Sequence, residues 1–187
     1  MMDRRTVVAD LMAAVPDALV VAGLGAPAWD VTAVADRDRT FPLWGGMGGA
    51  VALGLGLALA RPDDRLLVVT GDGEALMGLG ALSTAGSCQP ANLAVVVVDN
   101  ERYGETGMQA THTAGCTDLA GVAAACGFGA AVTVAAVADL AAAWARLWPG
   151  PSMVVAKVAD EPVPLVLPPR DGVLLKHRFR RAVLGEP

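Results

Sequence analysis

A chain of 187 residues with a net charge of −5 is sized for one α/β domain that can bury its own core, and its acidity excludes a nucleic-acid-binding face. Hydrophobic residues reach 54 % while aromatics stay at 4 %, so the bulk is Ala, Val and Leu, which suits helices packed closely on a sheet and excludes disorder. Three cysteines, Cys88, Cys116 and Cys126, are odd in number and lack Cys-x-x-Cys spacing, which excludes a disulfide framework, a zinc site or an iron–sulfur cluster and fits reduced thiols in the cytoplasm.

Residues 4–15 carry Val7, Val8, Leu11, Met12 and Val15 at helical spacing, with Pro16 as the stop. The preceding Asp3-Arg4-Arg5 leads into this amphipathic segment without the apolar core of a signal peptide. Ala18 to Ala22 predicts a buried strand running into the loop Gly23-Leu24-Gly25. A short helix over 28–35, a charged connection (36–39) and a loop from Phe41 to Gly49 follow, then a small-residue helix from Ala50 to Ala60. Beyond Pro62 the alternation is regular: strand 65–69, turn 70–73, helix 74–87, strand 93–98, loop 99–116, helix 117–126, strand 130–134 and helix 136–147. A Pro-Gly-Pro break at 149–151 precedes strand 152–158, and a proline-rich link (162–169) leads to a terminal helix from about 171 to 184.

Two uncharged stretches invite a membrane reading. Residues 45–60 are too short and glycine-rich to span a core of about 30 Å. Residues 119–138 are long enough, but Gly127 and Gly129 divide them into helix, turn and strand. The expectation is a soluble α/β fold: a doubly wound, mostly parallel sheet with helices on both faces. Residues 1–187 are read as one domain, with 162–187 as a C-terminal link and helix.

The chemistry centres on two strand ends. Gly71-Asp72-Gly73 follows the run Leu66 to Val69, and Asp99-Asn100 follows the run Leu93 to Val98. Parallel strands joined by a right-handed crossover point the same way, and neighbours lie about 4.8 Å apart. Asp72 and Asn100 then project at the sheet edge where open α/β folds bind ligands. A carboxylate, an amide oxygen and a loop carbonyl make a hard half-site suited to Mg²⁺ that phosphate oxygens and water complete. The helix start after the turn offers free amides to an anion. Either motif alone reads as a turn after a strand; both, at the ends of successive strands, read as a metal-bridged diphosphate site.

Gly-Asp-Gly separated by 26 residues from an asparagine that ends a strand resembles the cofactor motif of the thiamine diphosphate-dependent enzymes. The resemblance implies that Asp72 and Asn100 hold Mg²⁺ by side chain and Arg102 by its backbone carbonyl. The family's usual Asn-Asn is here Asp99-Asn100, so Asp99 reads as dispensable to the metal. Trp44-Gly-Gly-Met-Gly48 is similar to the family's pyrimidine-side loop, which implies that the Gly45 carbonyl accepts from the cofactor's 4′-amino group and that Met47 props its bent conformation. Gly71, Gly73, Glu74, Tyr103 and Gly104 complete the implied cofactor contacts. Glu74 departs from the small residue common there, and a carboxylate facing a diphosphate is repelled. It must turn away along its helix or be held by a basic group of a partner.

The runs 71–77 and 103–109 and the terminal Arg178-Phe179 helix resemble the sulfopyruvate and phosphonopyruvate decarboxylases, and a chain of this length resembles the β subunit of the two-subunit sulfopyruvate enzyme. The resemblance implies decarboxylation of a 2-oxo acid to an aldehyde. The family's activating glutamate belongs to a pyrimidine-binding domain for which this chain has no room. A hetero-oligomer with a pyrimidine-domain α subunit is therefore implied. Backbone amides from Tyr103 to Gly107 are candidates for phosphate contacts. His112 reads as a substrate or proton-transfer contact, or else as a surface histidine on a loop, and Gln109 is open in the same way. The basic run Lys176-His177-Arg178 with Arg180-Arg181 reads as a contact for substrate or partner, or as a solvated helix face. Carboligation of the acetolactate type and a 2-oxo acid oxidoreductase are the other enzyme readings. A nucleotide-binding regulatory module is the non-enzyme reading, against which stands the absence of Gly-x-Gly-x-x-Gly spacing at Gly45–Gly49.

Overall fold

A computed structural model describes residues 1–185. Six strands form one parallel sheet, β1 (Leu19–Ala22), β2 (Thr40–Pro42), β3 (Leu66–Gly71), β4 (Leu93–Asp99), β7 (Ala130–Val134) and β8 (Ser152–Lys157), in the order β2-β1-β3-β4-β8-β7. A two-stranded antiparallel ribbon, β5 (Arg102–Tyr103) with β6 (Gln109–Ala110), stands after β4. The central strands are apolar on both faces because helices cover both faces. Val20, Leu67, Val96 and Val154 point into one core, under α1 (Arg4–Ala14), α2 (Ala26–Ala35) and α7 (Leu140–Trp144). Leu19, Val68, Val95 and Val155 point into the other, under α3 (Ala50–Ala60), α5 (Gly80–Cys88), α6 (Leu119–Ala125) and α8 (Gly172–Leu184). Among the described residues no helix is long and apolar enough to cross a membrane.

Several element boundaries depart from the sequence reading, each for a tertiary reason. The expected helix 74–87 is two helices, α4 (Asp72–Met77) and α5, and α4 already begins at Asp72 where a turn was expected. Chain contact forces the break: a Cβ on Gly78 would lie 2.2 Å from the Gly48 carbonyl oxygen, so the Gly45–Gly49 loop occupies the line an unbroken helix would follow. The expected loop from Phe41 contains β2, whose three residues are too few for any alternation to show. The loop 99–116 holds the β5–β6 ribbon and a 3-10 turn at His112–Ala114, and the helix expected over 136–147 is regular only at α7.

Gly86 shows how tightly the second face packs. Its Cβ would fall 1.7 Å from the Cys126 carbonyl oxygen, so α5 meets the end of α6 backbone to backbone. Gly86→Ala is therefore expected to destabilise by about 3 kcal/mol, the upper end for an overpacked core, read as a lower urea midpoint at unchanged slope.

The winding sets the place of the site. The chain leaves β1 by α2 on one face toward β2, and leaves β3 by α5 on the other face toward β4. The loops after β1 and β3 thus diverge, opening a crevice at the carboxyl ends of these strands.

Candidate functional site

The β3–β4 register pairs Gly71 with Val98, which sets Asp72, Asp99 and Asn100 side by side at the sheet edge. A cavity of about 460 Å³ opens there, lined by Met47, Gly71, Asp72, Gly73, Glu74, Asn100, Arg102, Tyr103 and Gly104 among others. Of the residues singled out in the sequence, Gly45, Asp99, Gln109 and His112 do not line it. Gly45 lies exposed in its loop, and His112 faces solvent. Gly73 leaves room for the Tyr103 ring, whose atoms would sit 2.7 Å from a Cβ there.

Asp72 is only 2 % exposed. Its Oδ2 accepts from Thr111 Oγ1 at 2.5 Å and lies 3.4 Å from Thr113 Oγ1. Burial, with the charge of Asp99 adding to it, pushes its carboxyl up to about 6 despite those hydroxyls. Asn100 Oδ1 accepts from the Arg102 amide at 3.1 Å, a turn that keeps the side chain at the cavity wall.

Asp99, read from the sequence as dispensable to the metal, is the hub of the loop. It is 1 % exposed, and its Oδ1 accepts from Thr113 Oγ1 at 2.8 Å and from the Glu101 amide at 3.0 Å. Its Oδ2 pairs with Lys157 Nζ at 2.9 Å, and Lys157 also reaches Glu101 Oε1 at 2.7 Å. Burial works against the lysine's charge, but Asp99 and Glu101 outweigh it and raise its pKa above the ordinary value. Lys157 compensates the negative charge of Asp99 beside Asp72, so one unbroken network, Asp72–Thr111–Thr113–Asp99–Lys157, fixes the strand ends. The threonines were overlooked beside the more reactive-looking His112. His112 opens the 3-10 turn and faces solvent, while Thr111 before it and Thr113 after it are buried.

Within this chain Glu74 is held by a hydroxyl rather than by a basic group. It is 3 % exposed in the cavity floor, and its Oε2 accepts from Thr70 Oγ1 at 2.8 Å. Its Oε1 has no partner of normal hydrogen-bond geometry, although amides of Gly48, Leu24 and Ala50 lie near enough to favour the ionised form. Burial outweighs them and raises its pKa. Gly23 lies against it: a Cβ there would fall 1.9 Å from Oε2, so any larger residue would displace the carboxylate. Glu74 thereby ties the loops after β1 and before α3 to the Asp72 turn. The cavity also takes in Leu24, Pro27, Trp29 and Arg4, which the sequence reading left unassigned. The signal for Leu24, Pro27 and Trp29 was the glycine loop after β1 followed by a proline at a helix start.

An open parallel α/β domain that presents oxygen donors and glycine turns at the switch point of its sheet is a domain for binding a phosphate-bearing cofactor. Residues 24–156 match the family described as thiamine pyrophosphate enzyme, C-terminal TPP binding domain, and the chain belongs to that family. It is 36 % identical over 185 residues to the sulfopyruvate decarboxylase subunit beta of Methanococcus maripaludis, covering 96 % of this chain and 97 % of that protein. It is 45 % identical over 109 residues to the protein of the same name from Methanocaldococcus jannaschii, a match over 58 % of this chain and 57 % of that protein. The phosphonopyruvate decarboxylase of Streptomyces viridochromogenes is 42 % identical over 147 residues, but this chain spans only 36 % of it. The fold is that of the thiamine diphosphate-dependent 4-hydroxybenzoylformate decarboxylase of Rhodococcus jostii, at a TM-score of 0.69 and 19 % identity over 85 % of this chain and 33 % of that one.

Proposed function

We propose that the chain is the cofactor-binding subunit of a thiamine diphosphate- and Mg²⁺-dependent 2-oxo acid decarboxylase, acting on sulfopyruvate or phosphonopyruvate to give an aldehyde and CO₂. The relative that matches end to end bears the subunit name, and the observation that carries the reading is the adjacency of Asp72 and Asn100 at one cavity edge. The donor set fits the group. Among the described residues no cluster of three or more His, Cys, Asp or Glu could cage an ion, so a cation here is completed by phosphate oxygens.

When bound, thiamine diphosphate supplies the nucleophilic carbon and electron sink that decarboxylation of a 2-oxo acid requires. The protein's part is to hold and orient it. Asp72 and Asn100 hold Mg²⁺ by side chain, with the Arg102 carbonyl as third ligand. Gly71, Gly73, Tyr103 and Gly104 let backbone approach the diphosphate, and Glu74 keeps the floor in place through Thr70. Gly45 and Met47 take the pyrimidine side, and His112 moves a proton only if the loop carrying it turns inward on assembly.

The partner is a pyrimidine-domain chain that supplies the activating carboxylate. Glu74 is committed to Thr70 and Glu105 lies over Gly25, so neither is free for that task. Trp44, Met47 and Met108 stand exposed near this edge, as a surface awaiting cover would have them. A cytoplasmic enzyme is consistent with the three free cysteines.

Co-expression with a pyrimidine-domain chain is expected to yield aldehyde from sulfopyruvate or phosphonopyruvate in preference to pyruvate. Robust turnover by this chain alone would overturn the partner requirement. Calorimetric binding of thiamine diphosphate that ignored Mg²⁺ would overturn the metal bridge.

A further inference from the structure

The cation on the cavity wall lies outside every motif described so far. Arg4, in the first turn of α1, lines the cavity and donates from Nε to Asp30 Oδ2. Asp30 is wholly buried and carries a second guanidinium, since Arg5 donates to its Oδ1 at 3.0 Å. Two cations share the one buried carboxylate, and Asp3 and Glu105 also lie within the electrostatic reach of Arg4. Arg5 spends a further donor on the Pro164 carbonyl at 2.6 Å, whereas Arg4 makes no other hydrogen bond among the described residues. The other cavity arginine, Arg102, is already paired with Asp160 at 3.5 Å.

Asp30 sits one helical turn past the start of α2, and that start abuts the metal-side turn. A Cβ on Gly71 would touch the Pro27 ring at 3.7 Å. The α2 N-terminus has no side-chain cap. The Glu105 carboxylate lies over it, with Oε1 3.0 Å from where a Cβ on Gly25 would be, within the electrostatic reach of Arg4.

We propose that Arg4 recognises the diphosphate of the cofactor, and that Glu105 competes with the phosphoryl oxyanion for the same cation. The inference rests on the cofactor reading and deepens it. It assigns the terminal phosphate an anchor outside the Gly-Asp-Gly turn, and it makes the loop carrying Glu105 the element that must yield when the diphosphate binds. A planar guanidinium held at Nε can present its two terminal nitrogens to two oxygens of a phosphoryl group, which a lysine cannot do.

Calorimetry on the full chain with Mg²⁺ tests this with three probes: thiamine diphosphate, inorganic pyrophosphate and thiamine. Arg4→Met is expected to weaken thiamine diphosphate and pyrophosphate by about tenfold or more, the scale of a lost charge-assisted hydrogen bond, and to leave thiamine unchanged. Arg4→Lys should recover part of the loss. Glu105→Gln is expected to tighten both phosphorylated probes several-fold, and to do so less in the Arg4→Met background. Equal effects of Arg4→Met on all three probes would mark a merely structural arginine and overturn the proposal, as would a Glu105→Gln variant that binds no tighter. Wild-type chain that binds pyrophosphate through Arg4 but not thiamine diphosphate would uphold the anion site and refute the cofactor reading. Binding of neither phosphorylated probe would refute both.

Discussion

Asp72→Asn is expected to abolish Mg²⁺-dependent binding of thiamine diphosphate while making the cofactor-free protein more stable. The affinity loss should exceed about 100-fold, the upper limit for residues that only support a metal ligand. The gain in stability has a separate cause. The Asp72 carboxyl is pushed from 3.8 to about 6 by burial, with Asp99 adding to the effect. Its neutral form is thus the one the fold favours, and the contribution to stability is full below pH 3.8 and lost as pH rises through about 6. Above that pH the buried carboxylate costs about 3 kcal/mol, and an asparagine, which can still accept from Thr111, removes that cost. Thermal melting of the cofactor-free chain at pH 5 and pH 8 checks this: the variant should gain over wild type at pH 8 and lose most of the advantage at pH 5. Mg²⁺ beside Asp72 favours the ionised form, so cofactor binding near pH 6 should release protons.

Lys157→Met is expected to be the most damaging single change outside the cores, at about 3 kcal/mol, because it strands the charge of Asp99 in a nearly dry site. Asp99→Asn combined with Lys157→Met should recover a large part of that loss, since the asparagine oxygen can still accept from Thr113 and the Glu101 amide. A double-mutant cycle in urea reads the coupling directly; additivity within about 0.5 kcal/mol would mean that the pair stabilises nothing. The sign of the lysine shift sets the pH range. A raised pKa means that the pair holds at neutral pH and below the ordinary lysine value, and weakens only as pH climbs through the raised one. The chemical readout is the metal: loosening Asp99 frees the turn that carries Asn100, so Mg²⁺ affinity should fall in Lys157→Met and return in the double variant.

Much of this molecule is legible in the order of its residues because the relevant forces are local. Runs such as Leu66–Val69 and Leu93–Val98 are apolar on both faces and bounded by turn residues, which suffices to mark strands inside a doubly covered sheet. Crossover handedness then places their ends together, and Asp72 and Asn100 follow as a pair before any coordinate is known. The outward orientation of His112 and the structural part that Asp99 plays in its loop could not be reached that way. Whether a side chain on a loop faces in or out depends on what closes over it.

The sequence by itself determined the doubly wound parallel fold and pointed to Asp72 and Asn100 as oxygen donors at one sheet edge, since each rests on periodicity or on spacing within one crossover. Only the tertiary structure decided how those donors are held. Lys157 meets Asp99 across 58 residues, Thr111 meets Asp72 across 39, and Arg4 meets Asp30 across 26. Glu74 meets the loop at Gly23 through a gap that only a glycine leaves. No pattern along the chain records such partners. A buried charge selects its counter-charge by distance in space, and that distance exists only once both faces of the sheet have packed.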